Sequence, residues 1–545
     1  MSASTRSFAM NRGRWRVATA LVACMATIAI VATYPVFSQT WDEPATIATG
    51  MEWLSEGRYH YEAQHPPLAR IASALLPYLR GARSTGNVSM YDEGRTLLGE
   101  GAHYRRTLFL ARLGMLPFFW LLLAVCAMWG ARIGGPPGAA LATLFAAANP
   151  NLLAHAGIAG TDLAPAAFVA AALFSWMRWR EEPSPRRAIL FGVAVGLATV
   201  TKFSAVAFLG LAIVVGEGVR LRAIILATPE NREPWISWRG ALAALGAAAL
   251  TLWAVYRFRV APLPAGGPPV PAPELLSGIA AFLTHGTGGH PAFLLGEVRL
   301  EGWWYYYLVV LAVKTPLPLL ALAVVGGVDA VRARRRDGWP ALAPLAGVVG
   351  VLVPSLVTRV DLGVRIVLAF YPFVALLAAR GAVVAWSESG VRARVAARRA
   401  AVTVLVAASA VIPIRAWPDY LAYFNPAAGA HPERVLVDSN LDWGQDLYRL
   451  ADTVRARRMD SLYIHYFGSA NFTAVGLMNL RRLEKDERAT GWVAASETFL
   501  AGVWSDTSLR WLARREPVAR IGPSMRLYHI APDSAPRRAL PIPLR

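Results

Sequence analysis

The chain has 545 residues, 55% of them hydrophobic, and a formal net charge of +20. That is too apolar for a soluble enzyme of this size. The charge invites a nucleic-acid partner, but many of the arginines lie in short loops between apolar runs, as the positive-inside rule expects, so no nucleic-acid partner is expected.

The apolar residues fall in runs of about 15–25, near the ~20 that a helix needs to cross a bilayer. A polytopic membrane protein is therefore expected. Of the 55 basic residues, 52 are Arg and three are Lys: Lys202, Lys314 and Lys485. This bias looks genomic, and it makes the two lysines inside apolar segments conspicuous. Cys24 and Cys126 both lie in predicted spans, so neither a disulfide framework nor a CxxC metal site is implied.

In chain order, the first run, about 16–37, follows a basic flank (Arg12, Arg14, Arg16). It is too long for a signal h-region and no clear cleavage site follows, so it reads as an uncleaved span leaving the cytoplasm. The long loop 38–106 opens on Thr40-Trp41-Asp42-Glu43-Pro44 and carries His65-Pro66-Pro67-Leu68-Ala69-Arg70. Its apolar patches, such as 71–79, are too short to cross and suit helices lying on the membrane surface. Spans follow at about 107–130, 138–153 and 162–177, with Gly134-Gly135-Pro136-Pro137 as the turn between the first two. The run 188–216 would suit one tilted helix by length, yet both flanks are basic. A hairpin with its outer turn near Thr201-Lys202 satisfies the charge rule. Further spans are expected at about 240–256, 304–327, 340–357, 366–386 and 400–414, with a Pro- and Gly-rich outer loop before 302. This makes eleven spans in residues 1–414. Residues 415–545 change composition. Strand-like segments at 435–437, 462–464, 491–495 and 525–530 and a helix-like one at 447–459 predict a small α/β domain outside the membrane. The fold class is thus mostly α, polytopic, with an α/β extracytoplasmic C-terminal domain.

The chemistry-bearing residues gather on one predicted face. Asp42 and Glu43 stand where the chain leaves the first span. They suit a general base, with a metal or substrate contact, or a helix cap ahead of Pro44. Asp162 begins the fourth span, again as cap or site acid. Lys202, at the hairpin turn, needs a negative partner: Asp42, Asp162 or a phosphate; otherwise it snorkels to water. His65 and Arg70 flank a Pro-Pro helix start suited to a phosphate. Arg365 binds phosphate or pairs with Asp361. Lys314, about ten residues into its span, suits a structural role. The run Asp438 to Asp446 has the acids of a calcium loop, but glycine is at the seventh position and Arg449 at the twelfth, so a strand-to-helix turn with capping acids is expected.

Together these residues resemble the GT-C membrane glycosyltransferases, in the protein O-mannosyltransferase and aminoarabinose-transferase branch. Asp42-Glu43 is similar to the family's acidic pair in the first outer loop. His65 to Arg70 is similar to its His-Pro-Pro-Leu-Gly-Lys string, with Arg in place of Lys. Gly196 to Ser204 resembles its Thr-Lys turn, and Asp162 its second outer acid. The Asp438 to Asp446 string resembles a bacterial subgroup. The resemblance implies inverting transfer of a sugar from a polyprenyl-phosphate donor to a lipid, glycan or protein acceptor, at the outer face of a bacterial inner membrane. It implies catalytic roles for Asp42, Glu43 and Asp162 and donor-phosphate contacts for His65, Arg70, Lys202 and Arg365. It leaves metal use open: a divalent cation is allowed and none is required. The rival readings are a transporter or flippase of a lipid-linked substrate, whose charges would line a path through the bilayer, and an inactive relative acting as scaffold.

Overall fold

The computed structural model describes residues 12–226, 237–263, 266–287, 289–483, 487–504 and 509–532. Lys485 lies outside the described residues.

The chain is mostly helical, and the order of its helices follows the predicted runs. Among the described residues helix Arg12–Val31 comes first. Helices Gly101–Leu113 and Leu116–Ala147 follow the outer loop, and the second is interrupted at Gly134 and Gly135, where Gly135 has φ +62°. The chain folds back there. A Cβ built on Gly130 would meet the Gly138 carbonyl at 2.4 Å and the Ala142 methyl at 2.7 Å, an approach impossible between residues twelve apart in one straight helix. The Gly-Gly-Pro-Pro turn is therefore a real reversal.

The awkward 188–216 run is also a reversal. It forms helices Pro185–Thr199 and Ser204–Leu226, separated at Val200 to Phe203. Trp179, near the end of helix Leu163–Glu181, stacks on Phe191 (5.7 Å) at the start of the first arm. Trp176 and Arg180 of that same helix end bond to Glu217 in the second arm. Lys202, at the turn between the arms, bonds to Asp162 at the opposite end of Leu163–Glu181. Both arms therefore run the length of one helix in opposite directions.

Among the described residues, five helices are long and apolar enough to cross a membrane: Gly101–Ala147, taken as one with its breaks, Ser204–Ile225, Trp238–Val255, Phe370–Ser387 and Arg392–Ala416. The pair Tyr306–Lys314 and Leu317–Arg334 is long and apolar enough only when taken together, and it is bent by 112°. The expected continuous span at 304–327 is thus corrected to a broken one. Pro316 and Pro318 lack the N–H groups that would continue the ladder. The carbonyls released at the break are taken up by side chains and loops: Ala312 and Thr315 by the Asn425 amide, Val313 by the Asn425 N–H, and Lys314 by Asn151. In a membrane protein each of these groups needs such a partner, and here they have it. Lys314 sits at the break rather than in mid-helix, and its Nζ donates to the Leu421 and Asn440 carbonyls at 2.8 and 2.7 Å.

The helices pack through small residues. A Cβ on Gly326 would lie 1.8 Å from the Leu377 carbonyl, and one on Gly381 would lie 2.1 Å from the Leu322 carbonyl. Close backbone approach of this kind is how apolar helices gain contact without a hydrophobic driving force. Gly326→Ala is expected to force the two helices apart and cost about 1–3 kcal/mol. A drop in the detergent-solubilised unfolding midpoint checks this; an unchanged midpoint would show that the helices slide freely.

The first outer loop is folded. Helices Glu43–Glu56, Leu68–Leu79 and Met90–Leu98 pack together, with Gly50 against the Arg70 carbonyl and Gly94 against the Pro44 carbonyl. In the C-terminal part a five-stranded mixed sheet forms. Leu462–His465 lies parallel to Leu480–Arg482 and to Gly491–Ser496; Met525–Ile530 pairs antiparallel with Gly491–Ser496 and with Ala519–Ile521. The 462–464, 491–495 and 525–530 expectations coincide with strands, and the helix is Leu447–Ala456. The strand expected at 435–437 is absent: short 3-10 turns at Pro432–Arg434 and Asp438–Asn440 flank it. Its backbone groups are used elsewhere, with the Val435 carbonyl accepting from Leu295 N–H. Residues 415–446 run along the helical part. Ser38 and Trp41 N–H donate to the Gln445 and Trp443 carbonyls at 3.0 and 2.9 Å.

Candidate active site

Helix ends and loops from along the chain meet at the end of the bundle opposite the arginine-rich turns. Between them is a cavity of about 720 Å³, a size that accommodates a substantial ligand. Asp42, His65, Arg70, Asp162, Lys202 and Arg365 all line it. Glu43, expected as a second catalytic acid, does not.

Asp42 and Asp162 both stand immediately before a helix, and neither side chain caps it. The cap alternative is therefore set aside by geometry: each carboxylate faces a cation instead. Arg365, in the 3-10 turn Val364–Val367, donates from Nη1 to Asp42 Oδ2 at 2.6 Å, and its guanidinium lies over the Trp443 ring at 4.6 Å. Arg365 thus pairs with Asp42 and not with Asp361, whose carboxylate accepts from Trp303 N–H. Lys202 Nζ lies 2.6 Å from Asp162 Oδ1, and His155 Nδ1 lies 3.9 Å from Asp162 Oδ2. The buried Asp162 carboxylate is thus held between Lys202 and His155.

The His-Pro-Pro loop is organised by a residue the motif did not point to. Glu62 forms an ion pair with Arg70 and accepts from His65 Nδ1 at 2.7 Å. Arg70, buried, also donates to the Tyr59 hydroxyl and the Glu62 carbonyl. Arg70 thereby shapes the loop that presents His65. Burial and the nearby Lys202 ammonium lower the His65 pKa to about 4, against the pull of Asp162 and Asp42. The ring is neutral at neutral pH, with Nδ1–H directed to Glu62.

Glu43 is fully buried. It accepts from Arg112 Nε and Nη2 at 2.8 Å each, from Thr40 N–H at 2.8 Å and from Ala159 N–H at 2.9 Å. Every lone pair is committed, so Glu43, expected as a catalytic acid, is bound into the frame and does not face the cavity. Arg112 itself donates to the Phe37 and Ser38 carbonyls, tying down the chain before Asp42. Sequence reasoning missed Arg112, since one more arginine at a predicted span start carries no signal in so arginine-rich a chain.

The acids of the 438–446 run are not helix caps either. Asp442 accepts from Thr498 and Gly444 N–H, and Asp446 from Ser524 and Arg449. Asp438 and Trp443 line the cavity. Among the described residues no group of three or more His, Cys, Asp or Glu side chains gathers to hold a metal ion, and Asp162 is already neutralised by Lys202. The donor set does not fit a divalent cation.

Removing Lys202 takes away the one cation in hydrogen-bond reach of the buried Asp162 among the described residues. Lys202→Ala is expected to raise the Kd for an anion in the cavity, with inorganic phosphate as the probe, at least about tenfold, the loss of one charge-assisted contact. A binding titration in nanodiscs checks it; an unchanged Kd would remove Lys202 from the anion site.

Comparison with known proteins agrees with this architecture. Residues 19–223 match the family described as dolichyl-phosphate-mannose-protein mannosyltransferase. Among solved structures, ArnT from Cupriavidus metallidurans bound to undecaprenyl phosphate superposes with a TM-score of 0.51 at 14% identity, covering 93% of this chain and 97% of that one. The apo state of the same protein gives 0.50 at 15% identity with the same coverage. No curated protein sequence matches. The chain shares the fold of ArnT, and the family match over residues 19–223 agrees with the resemblance drawn from its motifs.

Proposed function

We propose that this chain is a glycosyltransferase that moves a sugar from a polyprenyl-phosphate carrier to an acceptor hydroxyl. The observation that carries this reading is the single cavity in which two acids, each held by a cation, meet the His-Pro-Pro loop at one end of a helical bundle. Asp42 takes the proton of the acceptor hydroxyl as its oxygen attacks the anomeric carbon. The bond from that carbon to the phosphate oxygen breaks on the opposite face, inverting the centre, and its electron pair leaves with the phosphate. Lys202 and Arg365 stabilise the growing charge. Arg365 is bound to Asp42, and an incoming phosphate competes for it and frees the carboxylate. Arg70 holds the loop, and His65 joins the anion site on protonation, which the phosphate charge favours. Asp162 holds the Lys202 ammonium in place. The apolar lining from Ala207, Phe208, Pro354 and Ile366 suits the isoprenoid chain.

The arginine-rich turns support a cytoplasmic assignment for the opposite end, and hence a periplasmic site in a bacterial inner membrane. On this reading eleven crossings in residues 1–414 carry the site, and residues 415–545 form a periplasmic domain whose first thirty or so residues are seated on it. The charges that line the cavity lie at one end rather than along a path, which favours an enzyme over a flippase.

The test is transfer by the purified protein in nanodiscs, offered a panel of radiolabelled undecaprenyl-phosphate sugars together with membrane extract. The expected result is label leaving the lipid carrier for a second molecule. Protein-dependent movement of a lipid-linked sugar across vesicles, with no transfer from any donor, would overturn the reading in favour of a flippase.

A further inference from the structure

The cavity has two unlike sides. Its cations come from the outer loop and the span ends, and with the apolar lining they account for a lipid phosphate. The other side is supplied by the C-terminal segments and is aromatic and acidic. Phe467 stacks on Trp41 at 5.0 Å and meets Phe499 edge-on at 5.6 Å; Trp504 meets the His290 ring at 4.6 Å. All of these rings line the cavity, and Trp504 remains half exposed.

Asp438 stands among them. Its backbone adopts φ +56°, a left-handed conformation uncommon for a residue with a side chain. The surroundings enforce it: Asp438 N–H donates to Thr498 Oγ1, the Ser439 hydroxyl to the Leu362 carbonyl, and the Asn440 carbonyl accepts from Lys314. Strain of this sort persists where neighbours over-determine the backbone, and it clusters at functional sites. The carboxylate accepts from the adjacent Ser439 N–H and from Trp504 Nε1 at 3.3 Å, and among the described residues it forms no ion pair. Burial raises its pKa, against the pull of Arg365. It thus differs from Asp42 and Asp162, which are each bound to a cation.

A pyranose presents C–H bonds on its faces and hydroxyls around its rim. Aromatic rings cover the first and a carboxylate without a cation binds the second. A serine or threonine side chain in a peptide offers no such face. We propose that the C-terminal wall is the acceptor subsite, that it takes a saccharide, and that Asp438 binds a rim hydroxyl while Trp504 and Phe499 cover the ring. This rests on the glycosyl-transfer reading above and narrows it to a glycan acceptor.

The test separates the two readings by measuring two ligands on the full-length protein in nanodiscs. Saturation-transfer NMR follows methyl and octyl glycosides of glucose, mannose, galactose and N-acetylglucosamine; a titration follows undecaprenyl phosphate and an undecaprenyl-phosphate sugar. At least one glycoside is expected to bind, and Asp438→Asn and Trp504→Ala are expected to weaken it about tenfold while leaving both lipid affinities within twofold. Preference for the octyl over the methyl form identifies a lipid-borne glycan, and equal binding a soluble one. Lys202→Ala is expected to weaken the lipids and spare the glycoside. Glycoside binding that survives both wall variants, or no glycoside binding alongside binding of a serine- or threonine-containing peptide, overturns the proposal. So does a selective loss of the sugar-bearing lipid in Asp438→Asn, which would give the wall to the donor sugar. Loss of lipid binding in the wild-type chain would instead strike the underlying transferase reading.

Discussion

Asp42→Asn is expected to abolish sugar transfer in a protein that still folds and inserts. Among the described residues the carboxylate makes its charged contact with Arg365 alone, and it is about one-third exposed to the cavity, so the fold asks little of it. The proposed chemistry asks much: loss of a general base costs typically about 10²–10⁴ in rate. Asparagine keeps the shape and removes the basic oxygen. It also releases Arg365, so affinity for undecaprenyl phosphate should hold or improve while turnover falls. Single-turnover transfer and a lipid titration on the same preparation check both halves. Full activity in Asp42→Asn would take Asp42 out of the mechanism.

Glu43→Ala, one residue along, is expected to fail in a different way. Truncation would leave the Arg112 guanidinium buried without its carboxylate, and would orphan the N–H groups of Thr40 and Ala159 as well. Breaking a buried ion pair by removing one partner costs about 3–5 kcal/mol. Glu43 joins three elements: the chain leaving the first span, helix Gly101–Leu113 through Arg112, and the loop before Asp162 through Ala159. A lowered unfolding midpoint and reduced yield are therefore expected, with activity lost in proportion to folded protein. Glu43→Gln should lie between wild type and alanine, since it keeps the shape and loses the charge. Wild-type stability with selective loss of turnover would return Glu43 to the chemistry. The two neighbouring acids are thus separable: one variant silences a folded protein, and the other loosens the frame.

Much of this was legible along the chain because membrane helices are written in long apolar runs and their direction in arginine. Charge bias on both flanks demanded a fold-back within 188–216, and the two arms lie along one helix as that demand requires. The break at Thr315-Pro316 was less legible. Hydropathy averages over a window and does not sense that two prolines remove ladder donors, nor that Asn425, over a hundred residues away, supplies replacements.

At the site, residue types and order along the chain determined that acids, a lysine and a His-Pro-Pro loop would share one end of the bundle. Each acid's partner depended on the tertiary structure. Asp42 and Glu43 are adjacent, yet helical geometry turns one toward the cavity and Arg365 and the other into the frame and Arg112. Asp438 reads as part of a failed calcium loop until the fold sets it in a left-handed turn against the cavity, among rings contributed from residues 41 to 504. Local sequence carries hydropathy, charge and backbone preference. Which buried charge meets which counter-charge is decided by desolvation, which acts only once distant segments have excluded water together.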